Sequence, residues 1–262
     1  MTDTLKPLIL VTNDDGIGSK GIKVLTEIAL EFGDVLVVAP ESCRSATSHT
    51  VSINIPLFLK KVESQNGLTR YSCSGTSVDC VKFAINEISG RKPDFILSGI
   101  NHGTNSAISI VYSGTMGAAM EGCIHGIPSA GFSLLDYNAD ANFEMAGHFT
   151  RKIIKVLISS GIPLNTCLNV NYPMLPLSEI IGIKICRQAS SKWIEKFRKQ
   201  YDDKSGEYYL LTGEFYNFEP DATDTDIWAL NNNYISIVPV EVDYTAHHSL
   251  ELLKIFENEI KI

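Results

Sequence analysis

The chain has 262 residues, of which 44% are hydrophobic and 20% are charged. This length and composition are sufficient for one large α/β domain with its own core. Its 22 basic and 30 acidic residues give a formal net charge of −8, which argues against a surface that coats a nucleic-acid polymer or binds an anionic membrane.

The cysteines and the N-terminal residues predict a cytoplasmic protein. The six cysteines form no CxxC pair, and such scattered spacing is typical of reduced thiols rather than of a disulfide framework. The segment Met1–Pro7 lacks the basic and apolar parts of a signal peptide, and no apolar stretch is long enough to span a membrane. We therefore expect no contact with a membrane.

Strand-like and helix-like segments alternate along the chain, a pattern that indicates βαβ units around a parallel sheet. Asn66-Gly67 lies between the strand-like runs Val51–Lys61 and Leu68–Cys73, which predicts a β-hairpin. The other predicted elements, in chain order, are a strand near 8–12, a helix near 19–32, a strand near 34–39, a helix near 77–88, a strand near 95–98, a helix near 114–125, a strand near 128–133, a helix near 141–159, a strand near 167–170, a strand near 234–239 and a helix near 249–259.

The segment from about residue 185 to 225 has a different character, because its aromatic residues lie among charges. They are Trp193, Phe197, Tyr201, Tyr208, Tyr209, Phe215, Tyr216 and Phe218. Such an arm has to bury its aromatic side chains against something, and a second subunit is one candidate. An exposed aromatic segment within one folded chain is the alternative. We predict a single domain over residues 1–262 that carries this arm.

Two adjacent aspartates, Asp14 and Asp15, follow the apolar run Leu8–Val11. Ligands of open α/β sheets bind outside the carboxyl ends of such strands. Neighbouring carboxylates repel each other unless a cation or a shared proton relieves them, and hard divalent cations prefer oxygen ligands. The pair therefore predicts a metal site. An Asx-rich turn before a helix N-terminus is the simpler alternative.

Two more polar loops follow apolar runs, at 40–49 after Val35–Ala39 and at 98–105 after Phe95–Leu97. If the sheet is parallel, all three loops open at the same edge. Ser113-Gly114-Thr115 precedes an apolar-spaced helix whose backbone N–H groups could hold a phosphate. An ordinary serine N-cap would leave the same pattern.

A dinucleotide-binding site is the main alternative function. Gly16-Ile17-Gly18-Ser19-Lys20-Gly21 spells GxGxxG between a predicted strand and a predicted helix, and Glu41 follows at about the spacing of the ribose ligand. Against this, Asp14 and Asp15 would face a pyrophosphate with no cation between them, which is costly. A nonenzymatic nucleotide sensor is the third possibility.

Four motifs in this chain together resemble the SurE family of survival-protein nucleotidases. They are Val11–Ile17 (VTNDDGI), Arg44–Thr47 (RSAT), Ser98–Gly103 (SGINHG) and Ser113–Thr115 (SGT). The match keeps their order and extends through Gly75–Lys82 and the aromatic arm.

The resemblance implies an α/β fold, with a Rossmann-like three-layer parallel-sheet core, a β-hairpin excursion and a C-terminal extended arm exchanged between subunits of a homodimer or homotetramer. It also implies a 5'-nucleotidase that releases phosphate from nucleoside 5'- and 3'-monophosphates with metal-activated water. We expect Asp14 and Asp15 to be the catalytic residues, and either of them could act as the general base.

The same resemblance implies one divalent cation per subunit, most readily Mg²⁺ or Mn²⁺, held by residues that match Asp14, Asp15, Ser45 and Asn101. Residues that match Asn105, Ser113 and Thr115 line the phosphate pocket in such proteins. We also expect Asn13 and Gly114 to bind the substrate. The position after Asn101 is often arginine in similar sequences, whereas this chain has His102.

Overall fold

The computed structural model describes residues 6–202 and 204–260 of the chain. The strands are β1 (Leu8–Thr12), β2 (Asp34–Pro40), β3 (Leu59–Gln65), β4 (Leu68–Cys73), β5 (Phe95–His102), β6 (Ser129–Leu134), β7 (Thr166–Tyr172), β8 (Gly182–Ile185), β9 (Ser191–Asp202), β10 (Gly206–Asn217) and β11 (Tyr234–Glu241). The helices are α1 (Lys20–Ala29), α2 (Ser77–Phe83), α3 (Gly114–Ile124), α4 (Glu144–Ser160), α5 (Asp226–Asn231), α6 (Leu250–Leu253) and α7 (Ile255–Glu259).

In the described part of the chain, nine strands form one sheet in the order β3-β4-β2-β1-β5-β6-β7-β11-β8. The six strands from β4 to β7 in that order run parallel to one another, while β3 and β11 are antiparallel to their neighbours β4 and β7. This topology confirms the predicted α/β, Rossmann-like class and the predicted hairpin at Asn66-Gly67.

Helices cover both faces of the sheet, so the core has two halves. On one face α1 and α4 pack against Ile9 and Val11 of β1. On the other face α2 and α3 pack against Leu10 of the same strand. Successive side chains of a strand point to opposite faces, which explains why a continuous apolar run forms a strand buried on both sides. The three-layer prediction is thereby confirmed.

The first strand of the hairpin begins later in the sequence than predicted. We expected it over Val51–Lys61, but β3 begins at Leu59, and the residues before it form turns. The reason lies in α2, because the Asp79 carboxylate accepts hydrogen bonds from the backbone N–H and the hydroxyl of Ser52. These bonds hold residue 52 against α2 instead of in the sheet.

The other differences concern short elements. The predicted helix over 77–88 is α2 followed by a turn of π-helix at Ala84–Ile88, and α1 ends at Ala29. Both β8 and α5 were missing from the prediction. They have four and six residues, too few for a clear hydrophobic period. In the arm, β9 and β10 pair as an antiparallel hairpin of twelve residues each. Of the helices in the described part of the chain, none is both long and apolar enough to cross a membrane.

Helix α1 lies unusually close to the end of β5. A Cβ atom placed on Gly21 would be 1.8 Å from the carbonyl oxygen of Ile100, a distance that no van der Waals contact permits. Close helix–strand packing is the role that the last glycine of a GxGxxG pattern performs. Gly21 is therefore explained by packing alone, and Ile100 immediately precedes Asn101.

We predict that Gly21→Ala destabilises the protein by at least about 1–3 kcal/mol, because the added methyl group meets rigid backbone. The matched control is Gly18→Ala, where a Cβ would have no atom within 4 Å, and which should change the stability by less than about 1 kcal/mol. Urea unfolding followed by circular dichroism measures both. Equal unfolding midpoints for the two variants would contradict this account of the packing.

Candidate active site

Parallel pairing of β1 with β2 and β5 brings the three polar loops to one edge of the sheet. A cavity of about 330 Å³ opens there. Five residues that the sequence singled out line it: Asp14, Ser45, Asn101, Asn105 and Ser113. The expectation that these loops converge is correct for those five side chains.

Asp14 is buried at the inner end of this group. Its carboxylate accepts a 2.5 Å hydrogen bond from the hydroxyl of Thr115, and a Cβ atom on Gly114 would lie 2.8 Å from its Oδ2 atom. Burial raises the pKa of Asp14 to about 6, with a further increase from the nearby charge of Asp15; the hydrogen bond from Thr115 opposes this shift only in part. Asp14 is thus held against the first turn of α3.

Asp15 is half-buried and faces a neighbouring recess rather than the same cavity. Its Oδ2 atom accepts a hydrogen bond of 3.0 Å from the backbone N–H of His102. Burial raises the pKa of this carboxyl group too, although that hydrogen bond and the charge of His102 oppose the shift. The recess measures about 540 Å³ and is also lined by Lys20 and Lys23, and its wall shares His102 and Tyr137 with the 330 Å³ cavity.

Among the described residues, neither of the two carboxyl groups is paired directly with a basic side chain. Within residues 6–202 and 204–260, neither Asp14 nor Asp15 forms an ion pair with a lysine, arginine or histidine. No group of three or more His, Cys, Asp or Glu side chains is placed to hold a metal in that part of the chain. A cation at this edge would therefore have to combine the two aspartates with neutral oxygen atoms.

Asn101 offers such an oxygen atom. Its side-chain nitrogen donates a 2.9 Å hydrogen bond to the carbonyl oxygen of Gly103, so its amide oxygen is the atom left for another partner. The pairing of β5 with β6 is irregular between Ser98 and Asn101, and irregularities of this kind redirect side chains at sheet edges. Asn101 is itself buried and lines the cavity.

Ser45 is exposed, but the loop that carries it is attached to the core at several points. The backbone N–H of Arg44 donates to the carbonyl oxygen of Asp14 at 2.7 Å. Further along, the loop backbone approaches α3 so closely that a Cβ on Gly117 would lie 2.6 Å from the oxygen of Ser48. The loop is therefore positioned by contacts on both sides of Ser45.

Glu121 of α3 provides another attachment for this loop. Its carboxylate lies 2.9 Å from Nε2 of His49, 2.6 Å from Nζ of Lys82 and 3.0 Å from Nε2 of His125. Burial alone would raise the pKa of Glu121, but the hydrogen bonds from His49 and Lys82 outweigh it and lower the pKa to about 2. The carboxylate therefore stays charged and ties the loop to α2 and α3.

The start of α3 combines the two roles that the sequence left open for Ser113. The Ser113 hydroxyl accepts a 3.0 Å hydrogen bond from the N–H of Met116, which makes it an N-cap, and it also lines the cavity. Its own proton remains available to a ligand. Gly114 and Thr115 contact Asp14 instead of lining the cavity.

Asn105 is held in place by side chains that sequence reasoning missed. Its backbone N–H donates to Oδ1 of Asn171 at 2.8 Å, its side-chain nitrogen donates to the hydroxyl of Ser133 at 2.7 Å, and its carbonyl oxygen accepts from Asn169 at 2.8 Å. The alternation of Asn169 and Asn171 along β7 was a readable signal, because buried amides on one strand face need partners.

Asn13 has a different place from the other predicted binding residues. Its side-chain nitrogen donates to the carbonyl oxygen of Gly16 and to the hydroxyl of Ser19, which ties the loop to the start of α1. Asn13 is fully buried and does not line the cavity. Its amide oxygen is buried without a hydrogen-bond partner among the described residues.

Three aromatic residues complete the cavity wall, and the sequence did not connect them with the site. Tyr112 ends the short helix before α3, Tyr137 follows β6, and Trp193 lies on β9 of the arm. The sequence identified Trp193 only as part of an aromatic segment. No spacing rule relates position 193 to position 14, so only the fold could join them.

Comparisons with known proteins identify the family of this chain. A family model described as survival protein SurE matches residues 9–195. Proteins named 5'-nucleotidase SurE from Flavobacterium psychrophilum and Flavobacterium johnsoniae are each 52% identical to this chain over 249 residues, which is 95% of this chain and 96% of theirs. The one from Christiangramia forsetii is 51% identical over 248 residues, or 94% of this chain and 95% of its own.

A solved structure shares the fold. The crystal structure of SurE protein from Aquifex aeolicus superposes with a TM-score of 0.82 at 36% sequence identity, over 96% of this chain and 100% of that one. The family match spans the loops that carry Asp14, Ser45, Asn101 and Ser113. This chain belongs to the SurE family.

Proposed function

We propose that this chain is a 5'-nucleotidase, which hydrolyses nucleoside 5'-monophosphates, and also 3'-monophosphates, to a nucleoside and phosphate at the cavity beside Asp14. The names of its relatives support the reaction. The observation that carries the proposal is the pair of carboxyl groups, Asp14 and Asp15, beside a cavity whose other polar residues can bind a phosphate without adding charge.

The proposal includes one divalent cation per subunit, Mg²⁺ or Mn²⁺, held by Asp14, Asp15, Ser45 and Asn101. The donor set fits such an ion, because carboxylate, hydroxyl and amide oxygens are the ligands that hard cations prefer. The two carboxyl groups have raised pKa values and no ion-pair partner among the residues described. When bound, the ion would lower the pKa of a water molecule and stabilise negative charge on the phosphoryl oxygens.

The protein groups then have distinct tasks. Ser113 donates its hydroxyl proton to a phosphate oxygen, since its lone pairs already cap α3. Asn105 lines the cavity in an orientation that three hydrogen bonds determine, so little ordering is required when the phosphate binds. One of the two aspartates accepts the proton of the attacking water, a task for which a raised pKa is suited. The anionic phosphate is thus bound by neutral hydrogen-bond donors, although the protein itself has a negative net charge.

A homodimer or homotetramer with an exchanged arm is part of the same proposal. The hairpin β9–β10 leaves large apolar side chains in solvent, among them Phe197, Tyr201 and Leu211 at 70%, 73% and 62% exposure. A contiguous exposed surface of this kind marks an interaction site in soluble proteins.

The first prediction from the proposed function concerns the carboxylate of Asp14. Asp14→Asn should reduce phosphate release from AMP at least about 100-fold, because it removes one negative ligand and one candidate base. A chelator should abolish the activity of the unmodified protein, and Mg²⁺ or Mn²⁺ should restore it. Asp221→Asn, which alters an exposed carboxylate outside the cavity, should leave turnover unchanged.

Unchanged turnover in Asp14→Asn, or full activity in the presence of the chelator, would refute this assignment. A change in NADH fluorescence on mixing with the metal-free protein, without phosphate release from AMP, would instead favour the dinucleotide-binding alternative. Binding of AMP without any release of phosphate would favour a nonenzymatic sensor.

The second prediction concerns stability in the absence of divalent cations. The pKa of Asp14 is about 6 in the folded protein against an ordinary value of 3.8, so its stabilising contribution is present below pH 3.8 and is lost as the pH rises through about 6. The loss corresponds to about 3 kcal/mol. Thermal unfolding between pH 4 and pH 8 in EDTA measures it, and Asp14→Asn should lack this component. Parallel pH profiles for the two proteins would contradict the prediction.

The third prediction concerns assembly. Static light scattering should give a mass larger than one chain, and Phe197→Asp should lower it, because a charge on an interface between subunits is strongly unfavourable. Leu164→Asp is the control, since Leu164 is 86% exposed and lies outside the arm. A monomeric unmodified protein would exclude subunit exchange.

A further inference from the structure

The polar residues of the cavity explain how a phosphate is held, but they leave the aromatic wall without a task. This wall consists of Tyr112, Tyr137 and Trp193. The three residues come from separate parts of the chain, and Tyr112 and Tyr137 are 47% and 72% exposed. Aromatic side chains that remain exposed around a polar cavity offer flat apolar surface to a ligand.

Trp193 is held at the cavity by the base of the hairpin. The hydroxyl of Ser191, two residues before it, accepts a 3.1 Å hydrogen bond from the backbone N–H of Ile108. Across the hairpin, the ring of Phe215 lies edge to face with the Trp193 ring at 5.7 Å between centroids. The indole is therefore positioned from two sides, while the residue stays only half-buried.

The buried carboxylate of Asp226 reinforces this anchor. It accepts hydrogen bonds from the backbone N–H groups of Ala107 at 2.7 Å and Ala189 at 3.0 Å. It thus joins the chain entering β9 to the short helix that leads to Tyr112 and Ser113. The element that presents Trp193 and the element that presents the phosphate-binding serine are fastened to each other.

Tyr137 is positioned by a glycine. The ring lies so close to Gly103 that a Cβ atom there would be 2.3 Å from Cε1 of Tyr137, and Gly103 has a φ of +102°. Any other residue at 103 would be strained and would displace the ring. Gly103 also accepts the hydrogen bond that orients Asn101, so the aromatic wall and the polar site share one backbone position.

We propose that Trp193 is a specificity-determining residue on which the nucleobase stacks, with Tyr137 forming the adjoining part of the base subsite. This inference rests on the proposed nucleotidase function and deepens it, because it assigns recognition of the base to particular residues of this chain. Every nucleobase has a flat π-face, so an aromatic residue can stack on purines and pyrimidines alike. The cavity of about 330 Å³ is within the size range of sites for small ligands.

The charge pattern supports the same assignment. Trp193, Tyr112 and Tyr137 contribute no formal charge, whereas Asp14 does. A nucleoside monophosphate fits this division if its neutral base lies on the uncharged aromatic side and its anionic phosphate lies on the side of Asp14, where the proposed cation offsets the repulsion between the two anions. Ribose 5-phosphate carries the same phosphate and sugar without the base, so it is the probe that isolates the contribution of stacking.

The kinetic test compares AMP with ribose 5-phosphate in the metal-supplemented full-length enzyme. Stacking of a base on one aromatic residue is worth roughly 5- to 150-fold in binding. We therefore expect Trp193→Ala to lower the ratio of kcat/KM for AMP to that for ribose 5-phosphate by roughly this factor. The loss should be in KM rather than kcat, because the base contacts the ring equally in the ground and transition states. Trp193→Phe should recover most of the ratio.

Trp228→Phe is the matched control for these variants. Trp228 is also half-buried, but it stacks on Tyr234 and lies under the ammonium group of Lys184, and it does not line the cavity. Its replacement should leave the ratio unchanged. A kcat/KM ratio that is unaltered in Trp193→Ala would overturn the proposal. If the ratio is also lost in Tyr137→Ala while Trp193→Ala keeps it, the base occupies the recess near Lys20 instead.

Fluorescence separates this inference from the proposed function. The chain has two tryptophans, so Trp228→Phe leaves Trp193 as the reporter. Adenosine should quench it, whereas ribose should not, and Trp193→Phe should show no adenosine-dependent change. Quenching without any phosphate release from AMP would retain the base subsite and refute the nucleotidase function. Phosphate release from AMP without quenching would retain the nucleotidase function and refute the base subsite.

Discussion

The constraint on which the site depends is the close contact between the carboxylate of Asp14 and the first turn of α3. A Cβ atom on Gly114 would lie 2.8 Å from Asp14, and Thr115 donates its hydroxyl proton to the same carboxylate. These neutral contacts do not replace the hydration that burial removes, so the pKa of Asp14 rises to about 6. The fold therefore keeps a buried acidic group in the wall of the cavity.

The neighbouring elements are arranged around that contact. Parallel strands β1, β2 and β5 bring their following loops to one edge, Gly21 lets α1 approach Ile100, and Gly117 lets the Ser45 loop approach α3. Glu121 ties the same loop to α2 and α3 through charged hydrogen bonds. Close backbone approaches and a buried carboxylate network thus hold in position a loop whose own key residue, Ser45, is exposed.

Local patterns predicted much of this structure, and their failures have physical reasons. The Asn66-Gly67 turn and the apolar run before Asp14 identified the hairpin and a central strand correctly. The start of β3 was placed too early, because Asp79 competes for the backbone of Ser52. The GxGxxG pattern correctly marked a position that requires glycine, but at Gly21 the requirement comes from the close packing of α1 against the end of β5. A glycine motif indicates where the backbone comes close to another group, but it does not identify a ligand.

By itself the sequence determined the alternation of strands and helices, the order of the polar loops and the presence of two adjacent aspartates, because these follow from hydrophobic period and turn chemistry along a contiguous segment. Only the tertiary structure decided which polar residues share a cavity. It brought Asn105, Ser113 and Trp193 to the edge that Asp14 occupies, and it turned Asn13 and Thr115 to other partners. The reason is that distance in space between such residues depends on strand order and loop packing, which no local pattern encodes.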